Sequence, residues 1–568
     1  MIEFGNKLLP LKEAVSKYVQ PGIQIHLAGG IGGPAAAICE IIRQFHGSKP
    51  EFTLIQSTIA GHAINLLHCG LVKKVIFSAC VDLSPASRPS RVMQEKWAEK
   101  KIIFENWSLC SLQERLLAGA MGINFIPTRS IAGSSLARDN QSGFKEILDP
   151  FGEQEKAALV RCLNPDLSIV HAYAADIQGN AILAIPYGDD IWGSLASSNG
   201  VLITAEKIVS AEVIQKHSAL VKIPGHLVLA VCETPLGLHP FSIANPGVDN
   251  STGYESDTKF LREMHEASLN DKHLDAWLQE WVLDCQDHQS YLNKLSNERI
   301  DSLRKIIGVP IGLSSVLPRP NSDSAYNSEQ MMLTAAAREI VKAVLKSNHK
   351  LVLLGAGSRS IAVLLADRQL RSKGYSLEII TGNGQYGYHP SPSELALQSL
   401  TGVYSSKMVM DTIVSQGILI GGKNNRCLGV IGAGQIDRYG NTNSTLTSGG
   451  RFLVGSGGAN DVGNAREVVV IINQSKDRFS QSLPYLTCRG ERVTTVISNL
   501  AIFKKPVGGE ELVLSACLPD PSALRLEERL KRAVSECGWP MKIADNVEDL
   551  TAPTNEELDW LRSSSPVV

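Results

Sequence analysis

A chain of 568 residues is long enough for two or more domains, each with its own buried core. Hydrophobic residues make up 43% and charged residues 20%, the balance of a globular protein and too apolar for a disordered one. A formal net charge of −2, with no basic tract and no acidic tail, argues against a general nucleic-acid or membrane-surface role and leaves room only for a local basic patch.

The opening stretch, Met1 to Pro10, lacks the basic, apolar, small-residue order of a signal peptide, and no apolar run reaches about 18 residues. A cytoplasmic protein without nucleic-acid or membrane partners is expected. Gly22 to Ala28 reads as a strand, followed by the glycine-rich turn Gly29 to Pro34 and the apolar-periodic helix Ala35–Phe45. Strand, glycine turn and helix open a doubly wound α/β unit. The turn could bind phosphate at the helix N-terminus or could serve close packing of strand on helix. Further strands are predicted at Phe52–Ile55, Val72–Ser78 and Ile102–Phe104.

Glu105 stands where the last of these runs stops. Ser111 and Glu114 have capping-box spacing ahead of the helical stretch Leu112–Met121, so Glu105 is expected in a strand-to-helix loop. Loops at the carboxyl ends of parallel strands form ligand crevices, although a surface ion pair suits the same residue. Arg129, in the polar loop Ile126–Ser130, could hold a carboxylate or phosphate, or a structural salt bridge. Strands follow at Ser168–His171 and Ile223–Val231. From Ser256 to Ile307 the composition turns polar and helical, with Trp277, Trp281, Tyr291 and Leu292 at helix-like spacing. This predicts an amphipathic arm packed on the first domain or used as a subunit contact. Val309–Gln330, rich in Pro, Asn and Ser, reads as a linker.

The α/β pattern then restarts: helix Met331–Lys346, strand Leu351–Leu354, turn Gly355–Gly357, helix Ser360–Lys373 and strand Leu377–Ile380. That last strand breaks into the loop Thr381-Gly382-Asn383-Gly384, whose glycines would let backbone N–H groups approach a ligand. Later strands are predicted at Leu428–Ile431, Val468–Ile472 and Thr495–Ile497, and the tail from Trp539 to Leu561 is polar with short helical signals. Asp176-Ile-Gln-Gly-Asn180 in the first half answers Asp437-Arg-Tyr-Gly-Asn441 in the second. Both read as structural turns and point to two related domains. The eleven cysteines stand singly with no CxxC pair, which predicts reduced thiols and no metal site.

Longer stretches carry a resemblance. Phe104-Glu-Asn-Trp-Ser108, Ala120-Met-Gly-Ile-Asn-Phe-Ile-Pro-Thr-Arg-Ser130, His171-Ala-Tyr-Ala-Ala-Asp176 and Ile223-Pro-Gly225 resemble the α subunit of glutaconate-type class I coenzyme A transferases. Gln435 to Asn441, Gly455-Ser-Gly-Gly-Ala-Asn460, Asn499 to Phe503 and Gly538 to Asp545 resemble the β subunit. The resemblance spans nearly the whole chain and implies two related open-sheet α/β domains, with acyl-CoA bound between them. The α-like domain would be 1–308, with its helical arm at 256–307. The linker would be 309–330 and the β-like domain 331–568.

In that family a glutamate just before Asn-Gly attacks the thioester to form a glutamyl-CoA intermediate. Here Gly382 holds the glutamate's place, beside Asn383 and Gly384. The resemblance to members lacking that glutamate implies a hydrolase cleaving a C–C or thioester bond of an acyl-CoA. In such an enzyme Glu105 would be the base, Asn106 or Arg129 would orient the substrate, and Thr381 and Gly382 would lie along the substrate loop. Gly455, Ser456, Gly457 and Gly458, with Asn383 and Gly384, would bind CoA and the oxyanion. Coenzyme A would enter as part of the substrate, with no permanently bound cofactor, and the arm could support a homodimer. The alternatives are CoA transfer through another carboxylate, acyl-CoA decarboxylation, for which the Thr381–Gly387 loop offers no cysteine, and a non-catalytic CoA-binding protein.

Overall fold

The computed structural model describes residues 5–564 apart from 30, 83–87, 153–155, 252, 306–325, 356, 358, 390–399 and 521–523. Gly30, Ala356 and residues 309–325 of the expected linker lie outside the described residues.

The first half is built on a sheet whose parallel strands run, side by side, Val228–Glu233, Gly200–Ala205, Leu167–Ala175, Gln24–Leu27, Phe52–Ile59, Val72–Asp82 and Ile103–Asn106. The central strands Leu167–Ala175 and Gly200–Ala205 are buried at every residue, as strands covered on both faces require. Strand order reverses between Gln24–Leu27 and Leu167–Ala175, so the carboxyl ends of this pair form a topological switch point.

The second half repeats the plan. Glu378–Thr381, Leu351–Leu354, Cys427–Gly432, Glu467–Ile471 and Val493–Ile497 are parallel neighbours. Ala501–Lys504 and Val513–Cys517 extend that sheet antiparallel, and Lys542–Asp549 closes it. The chain is therefore two open-sheet α/β domains. The Asp-x-x-Gly-Asn turns of the two halves repeat the same bonds. Asp176 accepts from the N–H of Gln178 and Asn180 and from Asn180 Nδ2, and Asp437 does the same with Tyr439 and Asn441.

The arm is helical over Thr258–Ser268, Asp271–Leu278, His288–Leu295 and Asn297–Lys305. Phe260, Trp277 and Tyr291 share one core with Ile38 and Ile41, so the arm completes the first domain. Three expectations need correction. Ile223–Val231 is two strands interrupted by a 3₁₀ turn at Gly225–Leu227. The polar tail contains the strand Lys542–Asp549, whose mostly exposed, charged sequence hides it from a hydrophobicity reading. The helix after Ser108 begins at Leu109, because Ser108 and Ser111 cap each other: each side-chain oxygen accepts the other's backbone N–H.

Candidate active site

The two halves meet along a seam of hydrogen bonds centred on Gly455–Gly458. Gly455 N–H donates to Ser444 O, Ser456 N–H to Asn106 Oδ1 at 3.0 Å, and Gly457 N–H to Ser78 O at 3.0 Å. Gly457 O accepts from Leu109 N–H. A Cβ on Gly455 would lie 2.6 Å from Ser78 O, so only glycine permits this approach. The backbone N–H groups of Gly455, Ser456 and Gly457, expected as oxyanion donors, are thus bonded to protein, and the loop clasps one domain to the other. The next turn continues the clasp: Asp461 accepts from Cys110 N–H at 3.0 Å and Ser130 Oγ at 2.5 Å, and Asn460 Oδ1 accepts from Ile131 N–H.

Glu105 lies within the strand Ile103–Asn106 and not in the loop after it. Its carboxylate pairs with Lys74 Nζ at 2.5 Å and approaches Arg115 Nη1 at 3.8 Å. Burial pushes the Arg115 guanidinium down to about 10, against the pull of Glu105, and its plane lies over Trp107 at 4.2 Å. Successive strand residues point to opposite faces, so Asn106, not Glu105, reaches the Gly455 loop. Asn106 Nδ2 donates to Ser78 O, which makes Asn106 a strut of the seam. Arg129 sits at the seam's edge, donating to Gly421 O at 2.9 Å.

The Thr381–Gly384 loop is a packed turn. Thr381 Oγ1 bonds Asn383 Oδ1 and accepts Gln385 N–H, and a Cβ on Gly384 would strike Met410 O. Above Gly382 stands Gln416, from the π-helical segment Ile413–Ile420. A Cβ on Gly382 would lie 2.5 Å from Gln416 Nε2, and one on Gly458 2.7 Å from the same atom. The Gln416 amide therefore fills the space into which a side chain at position 382 would project. Its Nε2 donates weakly to Gly382 O at 3.4 Å, and its Oε1 is buried without a partner among the described residues.

Gly188 bridges this loop to the first domain: Thr412 N–H and Oγ1 both donate to Gly188 O, and Ser415 Oγ donates to Gly382 O. Two residues on is Asp190, which lines a cavity between the halves with Ala28, Gly29, His171, Ser242, Leu400 and Val403. The cavity opens at the switch point of the first sheet. Asp190 accepts the Gly29 N–H, its Oδ1 is buried with no partner among the described residues, and burial together with Asp189 pushes its carboxyl well above the usual range. Asp189 in turn accepts from Ser57 N–H. His171 is held between Thr204 Oγ1 and Glu206 Oε1, each at 2.9 Å. Glu114, expected as a cap, is instead buried beside Cys110, and burial raises its carboxyl to about 7.

Asp190, Gln416 and Glu114 were not singled out from the sequence as site residues. The one available signal was the adjacent pair Asp189-Asp190 inside a mostly apolar stretch. Among the described residues no group of three or more His, Cys, Asp or Glu could hold a metal ion, and no helix is long and apolar enough to cross a membrane.

Comparison with known proteins places this geometry. Residues 9–234 match the coenzyme A transferase family model. The chain is 29% identical over 330 residues to one of the two subunit types of the glutaconate CoA-transferase of Acidaminococcus fermentans, covering 54% of this chain and 96% of that protein. It is 28% identical over 267 residues to the other subunit type in the 3-oxoadipate CoA-transferase of Pseudomonas knackmussii, covering 42% of this chain and 94% of that one. An acyl-CoA transferase apoenzyme from Escherichia coli O157:H7 matches with a TM-score of 0.67 at 16% identity, over 97% of this chain and 96% of that one, a likeness of fold. The chain is thus similar to coenzyme A transferases in both of its halves. One polypeptide carries likeness to both of their subunit types.

Proposed function

We propose that the protein is an acyl-CoA hydrolase, cleaving a thioester or C–C bond without a glutamyl-CoA intermediate. The observation that carries this reading is Gly382 with the Gln416 amide packed over it. Position 382 has no carboxylate, and the space for one is filled. In thioester cleavage water adds to the carbonyl carbon, the C–S bond breaks and the CoA sulfur leaves with a proton. In a β-keto acyl-CoA water adds at the ketone, the C–C bond breaks and the thioester α-carbon takes the proton. Either way negative charge first gathers on a carbonyl oxygen.

Asp190 is suited to meet that charge. Burial and the neighbouring Asp189 favour its protonated form, in which Oδ1, with no partner among the described residues, can donate to the substrate oxygen. This reading moves the acid–base role from Glu105, whose carboxylate is already matched to Lys74 and Arg115, to the cavity between the domains.

The test is incubation with a panel of acyl-CoA thioesters, including cyclic β-keto ones, without an acceptor acid and with hydroxylamine as trap. Free acid or ring-opened product with no protein adduct is expected, and an acyl-glutamyl or glutamyl-CoA adduct located by mass spectrometry would establish transfer instead. Asp190→Asn should lower turnover by ~10²-fold or more, while Glu105→Gln should leave turnover within a few-fold and lower the unfolding midpoint. The reverse pattern returns the acid–base role to Glu105.

A further inference from the structure

A second cavity, of about 270 Å³, opens at the far end of the π-helical segment that carries Gln416. Its lining includes Arg129, Lys423, Arg466 and Arg492, with Asn425 and Asn464, and no carboxylate. Among the described residues none of the four cations has an ion-pair partner within 4.0 Å, although ion pairs are frequent elsewhere on this surface. In a chain of net charge −2, four unneutralised cations around one hollow are an uneven distribution that repels itself unless an anion enters.

The hollow is built and not a chance of flexible side chains. Asn425 forms its floor: Oδ1 accepts from Arg466 N–H at 2.9 Å and Cys427 N–H at 3.2 Å, while Nδ2 donates to Gly422 O at 2.6 Å. Arg129 crosses from the first domain and is fixed at both ends. Its guanidinium donates to Gly421 O, which neutralises the carbonyl end of the π-helical segment, and its own carbonyl accepts from Asn464 Nδ2 at 3.2 Å. Both domains contribute cations, so the hollow exists only when they are joined.

We propose that this cavity binds a multiply charged phosphate anion, a pyrophosphate or phosphate ester, gripped by Arg129, Lys423, Arg466 and Arg492. Guanidinium groups pair bidentately with phosphate oxygens, and the volume, close to the lower end of ligand pockets at roughly 300 Å³, suits a small polyanion. Two sources share that chemistry: the phosphates of an acyl-CoA whose thioester reaches the first cavity, or a free polyphosphate. Assignment to the acyl-CoA rests on the function proposed above; the anion site does not.

Calorimetric titration of the full-length protein with inorganic pyrophosphate at low salt tests the site. Binding is expected in the wild type, about tenfold weaker in Arg466→Ala or Arg492→Ala and about a hundredfold weaker in the double variant. Absence of binding in the wild type, or equal binding in the variants, overturns the proposal. Both arginines are exposed, so their removal leaves the fold intact. Competition identifies the source. If coenzyme A displaces pyrophosphate and the variants raise KM for acyl-CoA at constant kcat, the anion is the substrate's phosphate end. If pyrophosphate binds unchanged in the presence of coenzyme A, the ligand is a free polyphosphate, and the hydrolase reading is then judged by its own assay.

Discussion

Gly382 carries no side chain, and the reason lies across the loop. Gln416 is buried, and its amide touches the space above both Gly382 and Gly458. The backbone at 382 imposes no left-handed requirement, so the obstacle to a Cβ at this position is the Gln416 amide. Gly382→Ala should therefore destabilise the protein by roughly 1–3 kcal/mol through overpacking, and the penalty should shrink in a Gln416→Ala background. Denaturant unfolding of the four members of that double-mutant cycle measures the coupling. Independent, additive penalties would mean that the amide does not fill the place of the missing side chain.

At the scale of elements, the helix Leu109–Ala120 presses a carboxyl against the seam. Glu114 is raised from 4.5 to about 7, first by burial and then, against the hydrogen bond from Thr128, by the charge of Asp461. The unfolded chain ionises this group near pH 4.5, whereas the folded chain keeps it protonated up to about 7. Raising the pH across that window therefore favours unfolding, and the penalty levels off above it. Glu114→Gln removes the effect. Its urea midpoint should match the wild type near pH 4 and exceed it by pH 8, by an amount worth at most about 3 kcal/mol. A gap that stays constant with pH would refute the buried-acid reading.

The same helix shows where the sequence speaks and where it stops. The apolar runs at Leu351, Ile379 and Val468 announce strands because these central parallel strands are buried on both faces, and the glycine turns that follow announce α/β units. Which side of a strand faces the cleft is not local information. Glu105 and Asn106 differ by one position, yet one meets Lys74 and Arg115 and the other meets the second domain. The Gly455 loop reads as a ligand loop from its glycines, but the N–H groups of Ser456 and Gly457 find acceptors more than 300 residues away, at Asn106 and Ser78. Gln416 lies in a stretch whose local pattern suggests nothing special and Asp190 is marked only by its acidic neighbour Asp189, and both become site residues through what folds against them.

At the scale of the molecule, the domains are held by contacts that do not involve the segment joining them. Cys80 N–H bonds Val454 O, Ser135 N–H bonds Leu486 O, Phe452 stacks on Trp97 at 4.9 Å, and the Gly455–Asp461 clasp adds the bonds described above. Cleaving the chain between Lys305 and Tyr326 should leave two polypeptides that co-elute in size-exclusion chromatography at micromolar concentration. Elution as separate species would show that covalent linkage, and not the seam, keeps the halves together.

The paired Asp-x-x-Gly-Asn turns also define a transferable part. In each, the aspartate and asparagine make the side-chain bonds, and the glycine, at φ of 94° or 76°, supplies the bend. The asparagine then reaches outward to hold a distant glycine N–H, Asn180 to Gly225 and Asn441 to Gly490. The two residues between, Ile177-Gln178 in one copy and Arg438-Tyr439 in the other, contribute only backbone to the knot. They differ between the two copies, while the remaining three residues are the same in both. The two knots therefore fix a common reference point in the two halves, at which Asp176 answers Asp437 and Asn180 answers Asn441, while the lengths of chain leading away from them differ.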